Sequence, residues 1–462
     1  MKLIKIILKN RFFGFILGFI ISLFFFKLII FRKKYNLKII IFSHHRWSDS
    51  AELLNRDKNI CLIIIPNFIY NRINSLFNVN PVNAFKKEKN YKKIKYENLG
   101  FWGKSVNKYY YLKKEKGVLN ERKKKSLFIS NIVKTIRFLT NIDCALTCAI
   151  HYNQEQEWAS GFNNGGIPFI CLHKEQSIIE RSHINFRSNH LKNKKQKFQV
   201  NSVVAPNKIV RDLFIKSKLI KKENIYSVGM LKFQGIIRKK NIKKKNFFTL
   251  FSFGHYTGMI VPKNRGSHYF SQNYDEGFSK LFFNTHKIFI QSALKNKNII
   301  FYIKPKNWAD WWISEIENVI KKVTGKNSKD IKNLFITNKP SIYLINNSIN
   351  IIGFNSTVLL EALVLKCKPI IPNFDEAIKT QKKNVYFKKF QKKFFIAESK
   401  LDLSKKINKC INNADDRKFN YYFGSDDIFK YYFNSRPQNI KNKTIKIINK
   451  IIFNYKKDRK KI

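Results

Sequence analysis

The sequence predicts an α/β protein in which two units, each with a parallel sheet covered by helices, follow an apolar N-terminal segment. Short apolar runs of strand length alternate with helix-length stretches along most of the 462 residues, which is the pattern of parallel sheets. The alternation stops at the charged segment 236–246 (IIRKKNIKKKN) and then begins again. Residues 12–31 form an apolar run ahead of the first strand. We therefore expect two α/β units joined by a basic linker.

The N-terminal segment has the length of a membrane-spanning helix. Residues 12–31 (FFGFILGFIISLFFFKLIIF) are interrupted by a charge only at Lys27, and about twenty apolar residues are enough to cross a bilayer. Arg32, Lys33 and Lys34 follow in place of a small-residue cleavage site, so we expect an uncleaved anchor. The alternative is an amphipathic helix that lies on a membrane without crossing it.

The strands and helices are placed by their apolar runs and helical spacing. In the first unit the predicted strands are 37–42, 60–66, 142–150, 167–172, 200–205 and 225–228, with a helix at 123–141. In the second they are 248–253, 299–304, 333–337, a run ending at Ile352, and 369–372, with helices at 275–295 and 308–322. A final amphipathic helix is predicted at about 437–455.

These elements give five segments along the chain. The predicted segments are 1–34 for the membrane anchor, 35–235 for the first α/β domain, 236–246 for the linker, 247–435 for the second α/β domain, and 436–462 for a C-terminal helix and basic tail. No repeat of solenoid period is visible in the sequence.

Composition limits the classes of partner. Lys and Arg number 90 against 30 Asp and Glu, a net charge of +60, which favours nucleic acid, an anionic membrane or an anionic substrate. The lysines lie in short scattered runs such as 123–125 and 243–245, without a stripe of regularly placed aromatic residues. Nucleic acid is therefore the least favoured partner. The six cysteines form no C-x-x-C pair, so we expect a reducing compartment.

The segment Asn350–Ala377 (NIIGFNSTVLLEALVLKCKPIIPNFDEA) carries the most specific pattern. It predicts a strand, a turn permitted by Gly353, N-cap chemistry at Asn355, Ser356 and Thr357, and then a helix that is apolar almost all round. Glu361 lies in the middle of that helix, and a buried carboxylate is costly unless a partner pairs with it. Amides at such a helix start can hold phosphate while a carboxylate holds ribose hydroxyls. The alternative is a core helix with one solvated Glu.

This segment resembles a known family. Gly353–Thr357 (GFNST), Leu360–Ala362 (LEA) and Lys368–Ile371 (KPII) resemble the nucleotide-binding half of GT-B glycosyltransferases, in particular those of bacterial surface-carbohydrate and capsule polysaccharide biosynthesis. Ser227–Phe233 (SVGMLKF) looks like the segment that closes the first domain of that family. Phe301–Pro305 (FYIKP) looks like its strand that ends in a basic residue.

The resemblance implies two Rossmann-like domains of GT-B type that face a cleft. The second domain would bind the nucleotide of a sugar donor, and the first would present the acceptor. The segment of Asn355, Ser356 and Thr357 would contact the donor phosphates, and Glu361 would bind the ribose. Lys304 would neutralise the diphosphate. Members of the family commonly work without a bound metal, and the sequence has no metal motif, so no cofactor is expected beyond the nucleotide-sugar co-substrate.

Polar residues at other strand ends add candidates. Gly254 and His255 follow the first strand of the second unit, where backbone amides can approach phosphate. Arg265 is a further candidate phosphate partner.

The catalytic base is sought in the first unit. An inverting transfer needs a base to take the proton of the acceptor hydroxyl, and polar residues at the carboxyl ends of strands are the candidates. Glu175 is the first choice, His44 with its neighbour His45 the second, and Asp49 the third. The alternatives are a helix-start or surface carboxylate for Glu175 and a loop residue or acceptor contact for His44.

The function expected from these observations is membrane-associated glycosyl transfer. The donor would be a nucleotide sugar, the acceptor a surface polysaccharide, a lipopolysaccharide or a lipid-linked glycan, and the site the cytoplasmic face of a bacterial inner membrane, whose anionic surface fits the basic chain. One alternative is a nucleotide-sugar epimerase or a polyol-phosphate transferase on the same fold. Another is a non-enzymatic basic membrane protein that binds anionic polymers.

Overall fold

The computed structural model describes residues 11–459 with gaps. The gaps are residues 24, 27–29, 31–34, 43–46, 67–68, 71–72, 74–75, 78–115, 149–154, 175–178, 182–183, 194–198, 238–245, 256, 258–276, 307–309, 379–386, 415, 417–425 and 434–438. The chain divides into unit 1, comprising Met1–Gly235 and Tyr432–Ile462, and unit 2, comprising Ile236–Tyr431.

Six parallel strands form the sheet of unit 1 in the order β2-β1-β3-β4-β5-β6. The strands are β1 (Leu37–Ile41), β2 (Ile60–Ile64), β3 (Cys144–Thr147), β4 (Phe169–Leu172), β5 (Ser202–Ala205) and β6 (Ile225–Ser227). β1, β3, β4 and β5 are buried along their whole length, as expected of parallel strands covered on both faces. All six lie within their predicted ranges, so the prediction of a parallel sheet is confirmed.

The sheet of unit 2 also has six parallel strands, in the order β12-β11-β10-β7-β8-β9. The strands are β7 (Phe247–Phe251), β8 (Ile300–Lys304), β9 (Leu334–Ile336), β10 (Ser348–Gly353), β11 (Ile370–Pro372) and β12 (Phe395–Ala397). The sequence did not predict β12, a three-residue edge strand between short helical segments. It pairs in parallel with β11 and completes the sheet.

Fourteen α-helices are assigned within the described residues. In chain order they are α1 (Arg11–Leu23), α2 (Ser48–Asn55), α3 (Lys116–Thr140), α4 (Gln156–Gly165), α5 (Ile184–Asn193), α6 (Lys208–Ser217), α7 (Leu231–Ile237), α8 (Ser279–Lys295), α9 (Asp310–Thr324), α10 (Ser341–Asn347), α11 (Val358–Val364), α12 (Lys400–Asn412), α13 (Asp426–Phe433) and α14 (Ile440–Arg459).

The C-terminal helix α14 packs into the core of unit 1. Ile440, Ile448 and Ile451 belong to the same buried cluster as residues of β1, β3 and α2. The backbone amide of Lys441 also donates to the Gln234 side chain over 2.6 Å. The chain therefore leaves unit 1 within α7 and returns to it from Tyr432 onward.

The N-terminal helix α1 packs on the long helix α3. It spans 13 residues, fewer than the 20 of the predicted span 12–31. Among the described residues, no helix combines the length and the hydropathy needed to cross a bilayer. The predicted membrane-spanning helix is therefore not found in the part of the chain that the structure describes.

Candidate functional site

The candidate site of unit 2 lies where the order of its strands reverses. Counted within the unit, the strand order is 6-5-4-1-2-3, and β7 is the first strand, with β8 on one side and β10 on the other. The register sets Phe251 level with Lys304 and with Gly353 at the carboxyl ends of these strands. In doubly wound sheets the crevice at such a reversal is where ligands bind.

Two loops meet across this crevice. Asn355 follows β10 and is 8% exposed, and its Nδ2 donates to the backbone oxygen of Thr257, beyond β7, over 3.2 Å. The amide of Thr257 in turn donates to the carbonyl of Gly254 over 3.1 Å. The structure thus brings the predicted residues Gly254 and Asn355 to the two sides of one crevice.

The turn after β10 is made by Asn355 rather than by Gly353. Asn355 has φ +46°, a left-handed conformation that asparagine tolerates better than most residues. The prediction that Gly353 permits the turn is wrong, because Gly353 is not among the residues with positive φ. Its role is close packing, since a Cβ there would lie 3.1 Å from Cδ2 of Leu359.

The helix after this turn begins later than predicted. α11 starts at Val358, with Thr357 as the N-cap residue and no hydrogen bond from the Thr357 side chain to the helix. The Ser356 hydroxyl instead accepts from the amide of Val358 over 3.3 Å. Of the three predicted capping side chains, Ser356 bonds to the first amide of the helix and Asn355 reaches the neighbouring loop.

Two buried carboxylates lie in the segment 350–377, and they have different surroundings. Glu376 accepts from the amides of Lys280 and Leu281 over 2.8 Å each, so it caps α8 and is structural. Glu361 lies in the first turns of α11 and is 3% exposed, which confirms that this helix is buried. It lies one turn after Thr357, and its assignment to ribose hydroxyls stays a prediction.

Lys304 ends β8 at the same edge of the sheet. Its backbone oxygen accepts from the amide of Ser252 over 2.9 Å, and its side chain is half-buried. Burial lowers the pKa of Lys304 below the usual lysine value, because a charged ammonium loses solvation there. A diphosphate placed at this edge would restore that lost stabilisation of the charge.

A buried hydrogen-bond network supports the loop after β7. Nδ1 of His286 lies 2.7 Å from the carbonyl of Phe282, and its Nε2 lies 3.0 Å from Oγ of Ser252. Because a carbonyl only accepts, Nδ1 carries the proton, and the neutral ring accepts from Ser252. Trp312 donates to the same Oγ over 3.1 Å. Sequence reasoning missed this network because its members come from three separate elements.

The next residues of that loop are held as well. Nδ1 of His255 is 3.0 Å from the Ser279 hydroxyl, and its carbonyl accepts from Phe278 over 2.7 Å. These contacts tie the loop to the start of α8. Arg265 lies outside the described residues and stays a prediction.

Unit 1 has a pocket at the carboxyl edge of its own sheet. Its lining includes Trp47, Ser50, His173, Lys174 and Gly229. The amide of His173 donates to Val204 over 2.9 Å, and that of Lys174 to Cys148 over 3.1 Å. The loop after β4 is thereby fixed against β3 and β5. The sequence analysis selected the next residue, Glu175, and did not select His173 or Lys174.

Two of the three candidate bases lie outside the described residues. Glu175 falls in the gap 175–178, and His44 falls with its neighbour His45 in the gap 43–46, so Glu175 and the His44–His45 pair stay predictions. Asp49 is described: its Oδ1 accepts from the amide of Ser50 over 2.8 Å, and its carboxylate pairs with Lys232 at 3.7 Å. Asp49 therefore lies in the first turn of α2, and its role as a base also stays a prediction.

Another buried carboxylate lies near the strand-order reversal of unit 1, between β1 and β3. The hydroxyl of Thr147, at the end of β3, donates to the carboxylate of Glu155. Glu155 is 3% exposed, and nothing in the sequence singled it out. Within the described residues, no three His, Cys, Asp or Glu side chains form a cluster that could hold a metal ion.

His286 makes the stability of the fold depend on pH. Burial lowers its pKa to about 4, whereas the unfolded chain takes up the proton near the ordinary value of 6.5. Between these values the unfolded state binds more protons, so the free energy of unfolding falls as pH falls. From about pH 7 to about pH 5 we expect His286 to account for a loss of about 2 kcal/mol.

The measurement is urea unfolding at a series of pH values for the parent chain and His286→Asn. At neutral pH the variant should have the smaller free energy of unfolding, because it loses part of the network. As the pH falls, its free energy of unfolding should decrease less than that of the parent. An equal dependence on pH in the two proteins would contradict the assignment of a neutral, buried His286.

Comparisons with known proteins found similar solved structures and no match by sequence. No family model matches the sequence, and no curated protein matches it. Among solved structures, the chain is similar to a UDP-GlcNAc 2-epimerase from Neisseria meningitidis bound to UDP-GlcNAc, with 9% identity, a TM-score of 0.44, and coverage of 90% of this chain and 99% of the other.

Two further structures have comparable similarity. One is a glycosyltransferase from Rickettsia africae, with 12% identity, a TM-score of 0.43 and coverage of 90% and 99%. The other is the wall teichoic acid polymerase TagF, with 11% identity, a TM-score of 0.36 and coverage of 70% and 76%. Similarities at this level assign no reaction. The strand orders show two parallel α/β sheets, which is consistent with the predicted pair of Rossmann-like domains.

Proposed function

We propose that the chain is a glycosyltransferase that takes a sugar from a nucleotide-activated donor. Unit 2 binds the nucleotide diphosphate, and unit 1 presents the acceptor. The acceptor is a surface polysaccharide, a lipopolysaccharide or a lipid-linked glycan, at the cytoplasmic face of a bacterial inner membrane. The observation that supports this proposal is the alignment of three strand ends at the reversal in unit 2, with Gly254, Lys304 and Asn355 following or ending them.

The chemistry of that edge suits an anionic leaving group. In glycosyl transfer the acceptor oxygen attacks the anomeric carbon, and the nucleoside diphosphate departs with a growing negative charge. Lys304 supplies a cation in a half-buried position, where screening by water is reduced and the attraction is stronger than in bulk solvent. The Asn355 side chain already donates across the crevice, and Ser356 brings a hydroxyl to the same turn.

Glu361 is assigned to the ribose of the donor. Its carboxylate is buried on a helix that starts at the crevice, and a carboxylate at such a place pairs with two vicinal hydroxyl groups. The base that takes the acceptor proton is assigned to unit 1, with Glu175 or His44 as the residue. The described pocket lined by Trp47 and His173 lies at the carboxyl edge of that sheet.

Binding of nucleoside diphosphates tests the role of Lys304. We expect Lys304→Met to weaken binding by about tenfold or more, because a close charge-assisted contact to phosphate contributes roughly 1.5–3 kcal/mol. Lys306→Met is the matched control, since Lys306 is exposed, two residues further along, and carries the same charge. Calorimetry with the diphosphate selected by a thermal-shift screen measures both.

Equal losses in the two variants would show that Lys304 acts only through net charge and would contradict its assignment. Unchanged binding in Lys304→Met would do the same.

The reaction itself is tested by mass. We expect the parent chain, given nucleotide sugars and a membrane extract of acceptors, to release nucleoside diphosphate and to add one sugar mass to a glycan or glycolipid. Mass spectrometry of both products measures this. An isomer of the nucleotide sugar with unchanged mass would identify an epimerase instead, and a released nucleoside monophosphate would indicate polyol-phosphate transfer.

A further inference from the structure

The exposed face of α1 is apolar along its whole length. Phe12, Phe15, Phe19 and Leu23 are 66%, 42%, 50% and 50% exposed. Ile16 and Ile20 lie beside them and are exposed too. These positions follow helical spacing and form one stripe.

The opposite face of α1 is fixed to unit 1 by two glycines. A Cβ on Gly14 would lie 2.9 Å from the backbone oxygen of Phe128, and one on Gly18 would lie 2.7 Å from that of Ile132. The two helices therefore touch backbone to backbone, with no room for a side chain between them. The Ser22 hydroxyl on this face donates to the carbonyl of Gly18 over 2.8 Å. The helix is thus seated lengthwise on α3, and its apolar stripe faces away.

The apolar surface continues past the end of α1. Phe26 and Ile30 are 56% and 57% exposed. Large contiguous apolar surfaces of this kind mark interaction sites.

The charges that flank α1 in the sequence favour an anionic partner. Every charged residue before Asp49 is basic. The basic residues nearest the apolar run are Lys9, Arg11, Lys27, Arg32, Lys33 and Lys34. An apolar helix face that is flanked in the sequence by basic residues matches a lipid surface with anionic headgroups. The sequence before Asp49 has no acidic residue that could pair with these basic residues in a second copy of the same segment, which favours lipid over a dimer.

We propose that the exposed face of α1 docks on an anionic phospholipid bilayer with the helix axis in the membrane plane. The 13 residues of α1 extend about 20 Å, and their lipid-facing side chains all lie on one side of the helix. Phe12, Phe15 and Phe19 enter the interface while Gly14 and Gly18 hold α1 on the folded unit. The inference is independent of the nucleotide site in unit 2.

Vesicle binding tests this surface. The full chain should co-float with vesicles of phosphatidylglycerol and phosphatidylcholine, and less so at high salt. The triple variant Phe12→Ser, Phe15→Ser and Phe19→Ser should reduce binding by at least about tenfold, because it removes three side chains from the lipid. A matched triple variant of exposed residues elsewhere, Phe335→Ser, Leu401→Ser and Phe453→Ser, should bind as the parent does.

Equal binding by the two triple variants would overturn the proposal, as would binding to uncharged vesicles with the parent affinity. Light scattering of the parent without vesicles tests the alternative occupant, a second copy of the chain. A parent dimer that becomes monomeric in the first triple variant would assign the face to that second copy and overturn the proposal.

The depth of the helix separates an in-plane from a spanning arrangement. The test measures tryptophan fluorescence quenching in the variants Phe12→Trp and Leu23→Trp by lipids brominated near the headgroup or near the bilayer centre. The quenching that the parent shows is subtracted as background. The proposal predicts the same shallow depth for both positions. Different depths at the two ends would show a helix that crosses the membrane and would overturn it.

Discussion

The candidate site depends on the hydrogen-bonded register of β7 with its two neighbours. β8 and β10 flank β7 although both are distant from it in the sequence. Their pairing with β7 puts Lys304, Phe251 and Gly353 at one level. Any loop that follows these strands must start at the same edge of the sheet. The positions of Gly254, Asn355 and Lys304 are consequences of that register, and a shift of one residue would turn the Lys304 side chain to the other face.

Polar contacts below and beside the edge keep the loops in place. His286 and Trp312 converge on the Ser252 hydroxyl, immediately before the loop that carries Gly254. On the far side, Glu376 caps α8 and so fixes the end of the segment that begins at β10. Both arrangements are buried, where an unsatisfied polar group would cost about 1–3 kcal/mol.

Much of this arrangement could be predicted from the sequence, because strands buried on both faces are continuous apolar runs. The segment 350–377 was predictable for the same reason, together with the one carboxylate in its helix. The left-handed Asn355 was not, since both glycine and asparagine can make such a turn and only the structure distinguishes Gly353 from Asn355. The network around His286 depends on tertiary contacts that no local pattern contains.

The apolar N-terminal run shows the same limit. Its composition predicts contact with lipid, but the small residues Gly14 and Gly18 decide its packing, and their partners lie more than a hundred residues further on. The return of α14 to unit 1 likewise follows from isoleucines whose partners belong to distant strands. In both cases the sequence identifies an apolar helix face and cannot identify what covers it.

Discrimination between ribose and dideoxyribose tests most directly whether the β10–α11 segment holds the donor nucleotide. Calorimetry would compare the nucleoside diphosphate that binds with its dideoxy form, in the parent chain and in Glu361→Gln, which has nearly the same shape. The parent should prefer the ribose form by about tenfold or more, since a buried carboxylate would lose its hydroxyl partners. The variant should lose most of that preference. An equal preference in both proteins would contradict the assignment of Glu361 to the ribose.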